Sequence, residues 1–133
     1  KLVRVIKGRV VDVAVDMRKS SPTFGKYVMA ELSDENKMQL FIPRGFAHGF
    51  LVLSDEAVFT YKVDNVYAPQ AEASVLFSDD EIGIKWPIAA ENMVLSPKAP
   101  SSKLMTSPSP LSKEAKLSIS SFSNFIINRL FRS

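Results

Sequence analysis

One stretch gathers residues able to do chemistry. Ile42-Pro43-Arg44-Gly45-Phe46-Ala47-His48-Gly49-Phe50 sets the chain's single histidine between two glycines, on an expected bend flanked by apolar strand residues. Imidazole titrates near neutrality, so His48 is a candidate to carry a proton, donate a hydrogen bond or bind a metal. A lone histidine among apolar residues is more often a satisfied core or rim side chain, and spacing by itself does not choose between the two. What strengthens the chemical reading is its company. On Leu2–Ile6 the strand period of two places Lys1, Val3 and Val5 on one face, which aims the Lys1 ammonium along an apolar floor. On Ala57–Val63 the same period places Ala57, Phe59 and Tyr61 together. A lysine, a histidine and a tyrosine can therefore converge on one hollow.

The elements that must position them are strands. From Lys1 to about Trp86 the pattern predicts Leu2–Ile6, Val10–Val15, Lys26–Leu32, Gln39–Ile42, Phe50–Leu53, Ala57–Val63 and Ser74–Phe77, with little helical signal. The first two, broken by Gly8, read as a hairpin. Ser20-Ser21-Pro22-Thr23-Phe24-Gly25 and Ser33-Asp34-Glu35-Asn36-Lys37 carry the residues that tight reversals need. A rolled or closed antiparallel sheet follows, an architecture that binds small ligands at its mouth. Asp12 and Asp16 flank Ala14 on one strand face and read as exposed edge or turn carboxylates rather than an acid and base pair, since no histidine or second cluster supports them.

The 133 residues suit one domain, and 46% hydrophobic residues suffice for its core. Zero cysteines exclude a disulfide framework and thiolate chemistry and fit a cytoplasmic protein. The net charge of +3 is uneven: residues 1 to 100 hold twelve Lys or Arg against thirteen Asp or Glu, so a nucleic-acid surface is not supported. No apolar run is long enough for a membrane span, and no leader precedes the first strand. The opening at Lys1, without a turn signal before it, reads as a chain cut inside a domain. Ala99 to Ser112 is rich in Ser, Pro and Lys and reads as a disordered linker. Beyond it Phe122, Phe125, Ile126, Arg129 and Leu130 approach a helical stripe. A short helix docking on the domain is the expectation, and a basic amphipathic helix on a membrane surface is the alternative.

Read together and in order, several strings resemble the dTDP-4-dehydrorhamnose 3,5-epimerase family. They are Lys1 to Gly8, Asp12-Val13-Ala14-Val15-Asp16-Met17-Arg18, Ser21-Pro22-Thr23-Phe24-Gly25, Asn36 to Pro43, Gly45 to Phe50, Tyr61-Lys62 and Tyr67-Ala68-Pro69. The resemblance runs from Lys1 to about Lys98, and the tail from residue 99 to 133 lies outside it. It implies an all-β, cupin-like jelly-roll barrel over residues 1–98, incomplete at its N-terminal strands, and a homodimer for the full-length protein. The implied activity is inversion at C3 and C5 of a dTDP-linked 4-keto-6-deoxy sugar through an enolate, in dTDP-rhamnose biosynthesis, with no metal or organic cofactor.

By the same resemblance Tyr61 is the proton donor, Lys1 and His48 contact the substrate around its keto group, and Glu72 and Lys98 are further substrate-binding positions. These residue types suit the chemistry. A proton beside a ketone leaves readily only if the developing enolate oxygen is stabilised, and Lys1 and His48 can donate to it. A phenol lowered by nearby cations can return a proton from the opposite face. Taken without the resemblance, Tyr61 reads as a barrel tyrosine with a satisfied hydroxyl, and Lys1, Glu72 and Lys98 as solvated charges.

The chain also departs from the family. There the catalytic base is a histidine on a strand preceding the position of Lys1, accompanied by an arginine and a glutamine that grip the sugar nucleotide. The aspartate supporting that base follows the lysine matched by Lys98, where this sequence has Ala99. A positioned general base contributes roughly 10²- to 10⁴-fold, so these residues alone are expected to be impaired or inactive. The alternative reading is a non-catalytic cupin-like module that binds sugar nucleotides. A metal-dependent cupin enzyme is a third reading, for which one histidine and no cysteine supply too few ligands of the usual kind.

Overall fold

Runs of valine and other β-branched residues form strands where sequence patterning places most of them. The computed structural model describes residues 1–64 and 75–95 and the backbone of a strand at 124–128. The strands are β1 (Leu2–Lys7), β2 (Arg9–Asp16), β3 (Tyr27–Ser33), β4 (Gln39–Phe41), β5 (Phe46–Val52), β6 (Val58–Lys62), β7 (Val94–Leu95) and β8 (Asn124–Asn128). They make two sheets, ordered β4-β1-β6 and β3-β2-β5-β8-β7. Neighbours are antiparallel except β5 and β8, which run parallel. The all-β expectation is met.

The two sheets face each other across one interior. Val3 and Val5 of β1, Val10 and Ala14 of β2, Leu32 of β3 and Ile42 after β4 are buried there, with Phe46, Phe50 and Phe59 packed against them. The opposite face of β2 carries Val11, Val13 and Val15, covered by Ile82, Ile84 and Trp86 of the segment after β6. Burial on both faces explains why β2 reads as an almost unbroken apolar run. Trp86 closes the cover by donating its indole N–H to the Phe77 carbonyl at 2.9 Å.

Four sequence expectations are corrected. The hairpin of the first two strands is absent: β1 pairs with β4 and β6, while β2 pairs with β3 and β5. Gly8 lies between them at φ +80, and a Cβ there would run into the Glu56 carbonyl and the Ser54 hydroxyl. The chain therefore passes from one sheet to the other in a single residue, and each strand finds its partners far along the sequence. Second, His48 stands inside a strand and not on a bend. The turn ends at Gly45, φ +82, and the Phe46-Ala47-His48 run pairs with Asp16, Val15 and Ala14 of β2.

Third, Val75 and Phe77 are buried as part of the cover rather than in a strand; Ser74 falls outside the described residues. Fourth, the expected terminal helix is a strand. Asn124–Asn128 joins the open edge of β5, and its Phe-Ile-Ile run has strong strand preference whatever its helical spacing. The linker from residue 99 and the domain boundary near 98 lie outside the described residues. Among the described residues no helix is long and apolar enough to cross a membrane.

Gly8→Ala is expected to destabilise the domain by at least about 2 kcal/mol, because it adds strain at positive φ to a backbone collision. The check is a lower urea midpoint with an unchanged denaturant slope.

Candidate active site

The interior faces of β2 and β5 set the geometry. On β2 the residues pointing inward are Val10, Asp12, Ala14 and Asp16, and across from them on β5 stand Val52, Phe50, His48 and Phe46 in register. His48 thus faces Ala14, whose methyl group leaves the imidazole room to lean to a diagonal neighbour. It leans to Asp12. Nε2 lies 2.9 Å and 3.0 Å from the two carboxylate oxygens, and both side chains are buried, at 5% and 0% exposure. An ionised carboxylate only accepts, so Nε2 carries the proton in that state.

The expectation that Asp12 and Asp16 are exposed is overturned. Both are essentially inaccessible to solvent. Burial pushes the Asp12 carboxyl above the usual carboxylate range, and the hydrogen bond from His48 and the charges of His48 and Lys1 oppose that push without cancelling it. Asp16 has the reverse balance. It accepts five hydrogen bonds, from Arg18 N, Nε and Nη2 and from the Ser21 and Thr23 hydroxyls, and the Arg18 bonds above all hold it far below the usual range.

Sequence reasoning set Asp12 aside because it found no histidine to support it, whereas His48 meets it from 36 residues away. The usable signal was an aspartate inside a run otherwise apolar on both faces, which demands a buried partner.

The remaining candidates extend along an aromatic row. Phe50 and Phe59 stack with ring centroids 4.2 Å apart, His48 lies 6.1 Å from Phe59, and Tyr61 lies 6.4 Å beyond it. Val3 pairs with Tyr61, so Lys1, next on the same face of β1, brings its Nζ to 5.5 Å from the Tyr61 ring centroid. The Lys1 backbone is fixed by reciprocal bonds with Ile42, N to O at 2.9 Å and O from N at 2.7 Å. His48 is thus buried at the floor, while Tyr61, 58% exposed, stands at the rim.

Lys1 and Tyr61 from the smaller sheet and His48 from the larger one lie along the same interior, with Phe59 between the last two. Glu72 and Lys98 fall outside the described residues. A cavity of about 350 Å³ is lined by Leu2, Arg4, Gln39, Thr60, Tyr61 and Lys62, so that it shares Tyr61 with this row while His48 takes no part in it. Among the described residues no three His, Cys, Asp or Glu side chains gather as a metal site.

The model of the dTDP-4-dehydrorhamnose 3,5-epimerase family matches residues 1–106. The chain belongs to that family. A dTDP-4-dehydrorhamnose 3,5-epimerase from Shigella flexneri is 60% identical over 98 residues, which cover 74% of this chain and 53% of that protein. Among solved structures, the dTDP-4-dehydrorhamnose 3,5-epimerase of Elizabethkingia anophelis NUHP1 superposes with a TM-score of 0.71 at 52% identity, covering 80% of this chain and 60% of its own. A 3,5-epimerase from Legionella pneumophila Philadelphia 1, in complex with dTDP-4-keto-L-rhamnose, gives 0.65 at 52% identity over 67% of this chain and 47% of that one. The chain spans about half the length of the curated epimerases it matches.

The two aspartates give opposite acid responses. Asp16 has a folded value below its unfolded one near 3.9, so its stabilisation is complete above about pH 4 and is lost as pH falls further. Asp12 has a raised folded value, so its contribution is complete below about pH 4 and is lost as pH rises through that value. Asp16→Asn is expected to cost about 2–3 kcal/mol at pH 7, the worth of charge-assisted bonds to a buried carboxylate. Urea midpoints from pH 7 to pH 2 should show the wild type and this variant converging as the pH drops below about 4.

Proposed function

We propose that this chain forms the keto-oxygen and proton-return side of an epimerase site, acting on a dTDP-linked 4-keto-6-deoxy sugar and inverting its C3 and C5 centres in dTDP-rhamnose synthesis. Membership of the family supports the reaction class. The observation that carries the residue assignment is the buried Asp12–His48 pair facing Lys1 and Tyr61 across the interior between the sheets.

The chemistry follows from that placement. When a base removes the proton beside the ketone, negative charge develops on the carbonyl oxygen, and donors fixed in a dry pocket stabilise it most. The Lys1 ammonium is one donor. The other is His48, whose imidazole is held in place by the bond between its Nε2 and the Asp12 carboxylate. Tyr61, at the rim beside Lys1, is the acid that returns a proton to the opposite face of the ring. In the family's pattern the abstracting histidine precedes the position of Lys1, so His48 fills a different role.

Glu72 and Lys98 complete the reading as substrate-binding positions, and the assembly that fits it is a homodimer. No metal or organic cofactor enters these steps.

The test joins the N-terminal half of an epimerase relative to residues 1–98 of this chain and follows the sugar in heavy water. Deuterium should enter at C3 and C5. Tyr61→Phe is expected to slow complete inversion by roughly 10²- to 10⁴-fold with little change in binding, and Lys1→Met by roughly 10²- to 10³-fold. Ligand binding without any exchange in the chimera would replace this reading by that of a non-catalytic sugar-nucleotide module.

A further inference from the structure

His48 has two carboxylates within reach of its strand position. In the β2–β5 ladder it stands opposite Ala14, and both Asp12 and Asp16 are its diagonal neighbours on the same face. Its Nε2 bonds Asp12 alone of the two. The difference lies in what holds Asp16. Arg18 grips that carboxylate with a two-pronged fork, Nε to Oδ1 at 2.9 Å and Nη2 to Oδ2 at 2.8 Å, while Ser21 and Thr23 each donate to Oδ2 at 2.6 Å. The same guanidinium lies 4.9 Å over the ring of Phe46, the residue two before His48 on the inward face of β5.

The local backbone is shaped for this arrangement. Gly45 has positive φ, and a Cβ there would come within 2.6 Å of Arg18 Cγ, so the arginine stem occupies the space a side chain would need. Met17 N donates to Gly45 O at 3.0 Å and ties the start of β5 to the end of β2.

We propose that Arg18 is a positioning residue for the site: by saturating and neutralising Asp16 and bracing Phe46, it removes the competing carboxylate and commits the His48 imidazole to Asp12. A lysine could balance the charge, but only the planar fork occupies both carboxylate oxygens at once. The inference deepens the proposed enolate-stabilising role of His48 and rests on it for its catalytic meaning, yet it is tested without substrate.

Because the sequence has a single histidine, the imidazole resonances of the ¹⁵N-labelled full chain report His48 alone. The wild type should show one ring environment with a downfield, slowly exchanging Nε2–H. Arg18→Met, which keeps the stem and removes the fork, should add a second ring environment or speed Nε2–H exchange at least about ten-fold as Asp16 competes. Adding Asp16→Asn to that variant should restore the single environment, a rescue that a purely structural arginine would not give. Wild-type ring signals in Arg18→Met, or no restoration in the double variant, overturn the proposal. Should Arg18→Met fail to fold by near-ultraviolet circular dichroism, Arg18→Lys decides: exchange about three-fold faster supports the fork's role, and wild-type exchange sinks it. Expected ring signals together with an inactive chimera would count against the epimerase reading and not against this one.

Discussion

The bond between Asp12 and His48 is the constraint on which the rest of this architecture depends. A carboxylate closed off between two sheets costs several kcal/mol unless a partner meets it with good geometry. That partner comes from a strand 36 residues later, so the pair fixes how β2 and β5 lie against each other. A slip of one residue would turn Asp12 to the valine-lined face and leave it uncompensated. With the register fixed, Phe50 stacks on Phe59, Tyr61 follows at the rim, and Lys1 reaches the same edge from β1.

Two aspartates four residues apart on one strand face are stabilised by contrasting means. Asp16 sits within a polar nest of a guanidinium and two hydroxyls that all favour its anion. Asp12 sits buried beside one imidazole, where desolvation prevails. The fold thereby separates a carboxylate that anchors a turn from one that pairs with a single imidazole across the β2–β5 ladder.

Much of the fold was legible in local pattern, and the failures share one physical origin. The β-branched runs announced their strands, and the shared faces of Lys1 with Val3 and Val5, and of Phe59 with Tyr61, came from the period of two. What could not be read were partnerships between distant segments. The apparent hairpin across Gly8 dissolved because β1 and β2 each pair better elsewhere, His48 was drawn into a strand by β2, and Asp12 looked solitary because its partner is remote in sequence. Spacing misled at Phe125 and Ile126, where an apolar run compatible with a helix joined the free edge of β5 instead. Lys1, His48 and Tyr61 were found by residue type and resemblance, whereas only the three-dimensional arrangement shows the buried floor and exposed rim they occupy.

The single-residue passage at Gly8 has a mechanical consequence. Lys1 belongs to the smaller sheet and Asp12 to the larger, and the covalent path between the sheets at this corner has only one pair of soft torsions, since the peptide planes on either side are rigid. Any breathing that widened the gap between the layers at this end would have to be absorbed by those two angles. The two layers are therefore leashed together at the end of β1 far from Lys1, and a ligand entering from the rim meets a jaw whose hinge end is already clamped.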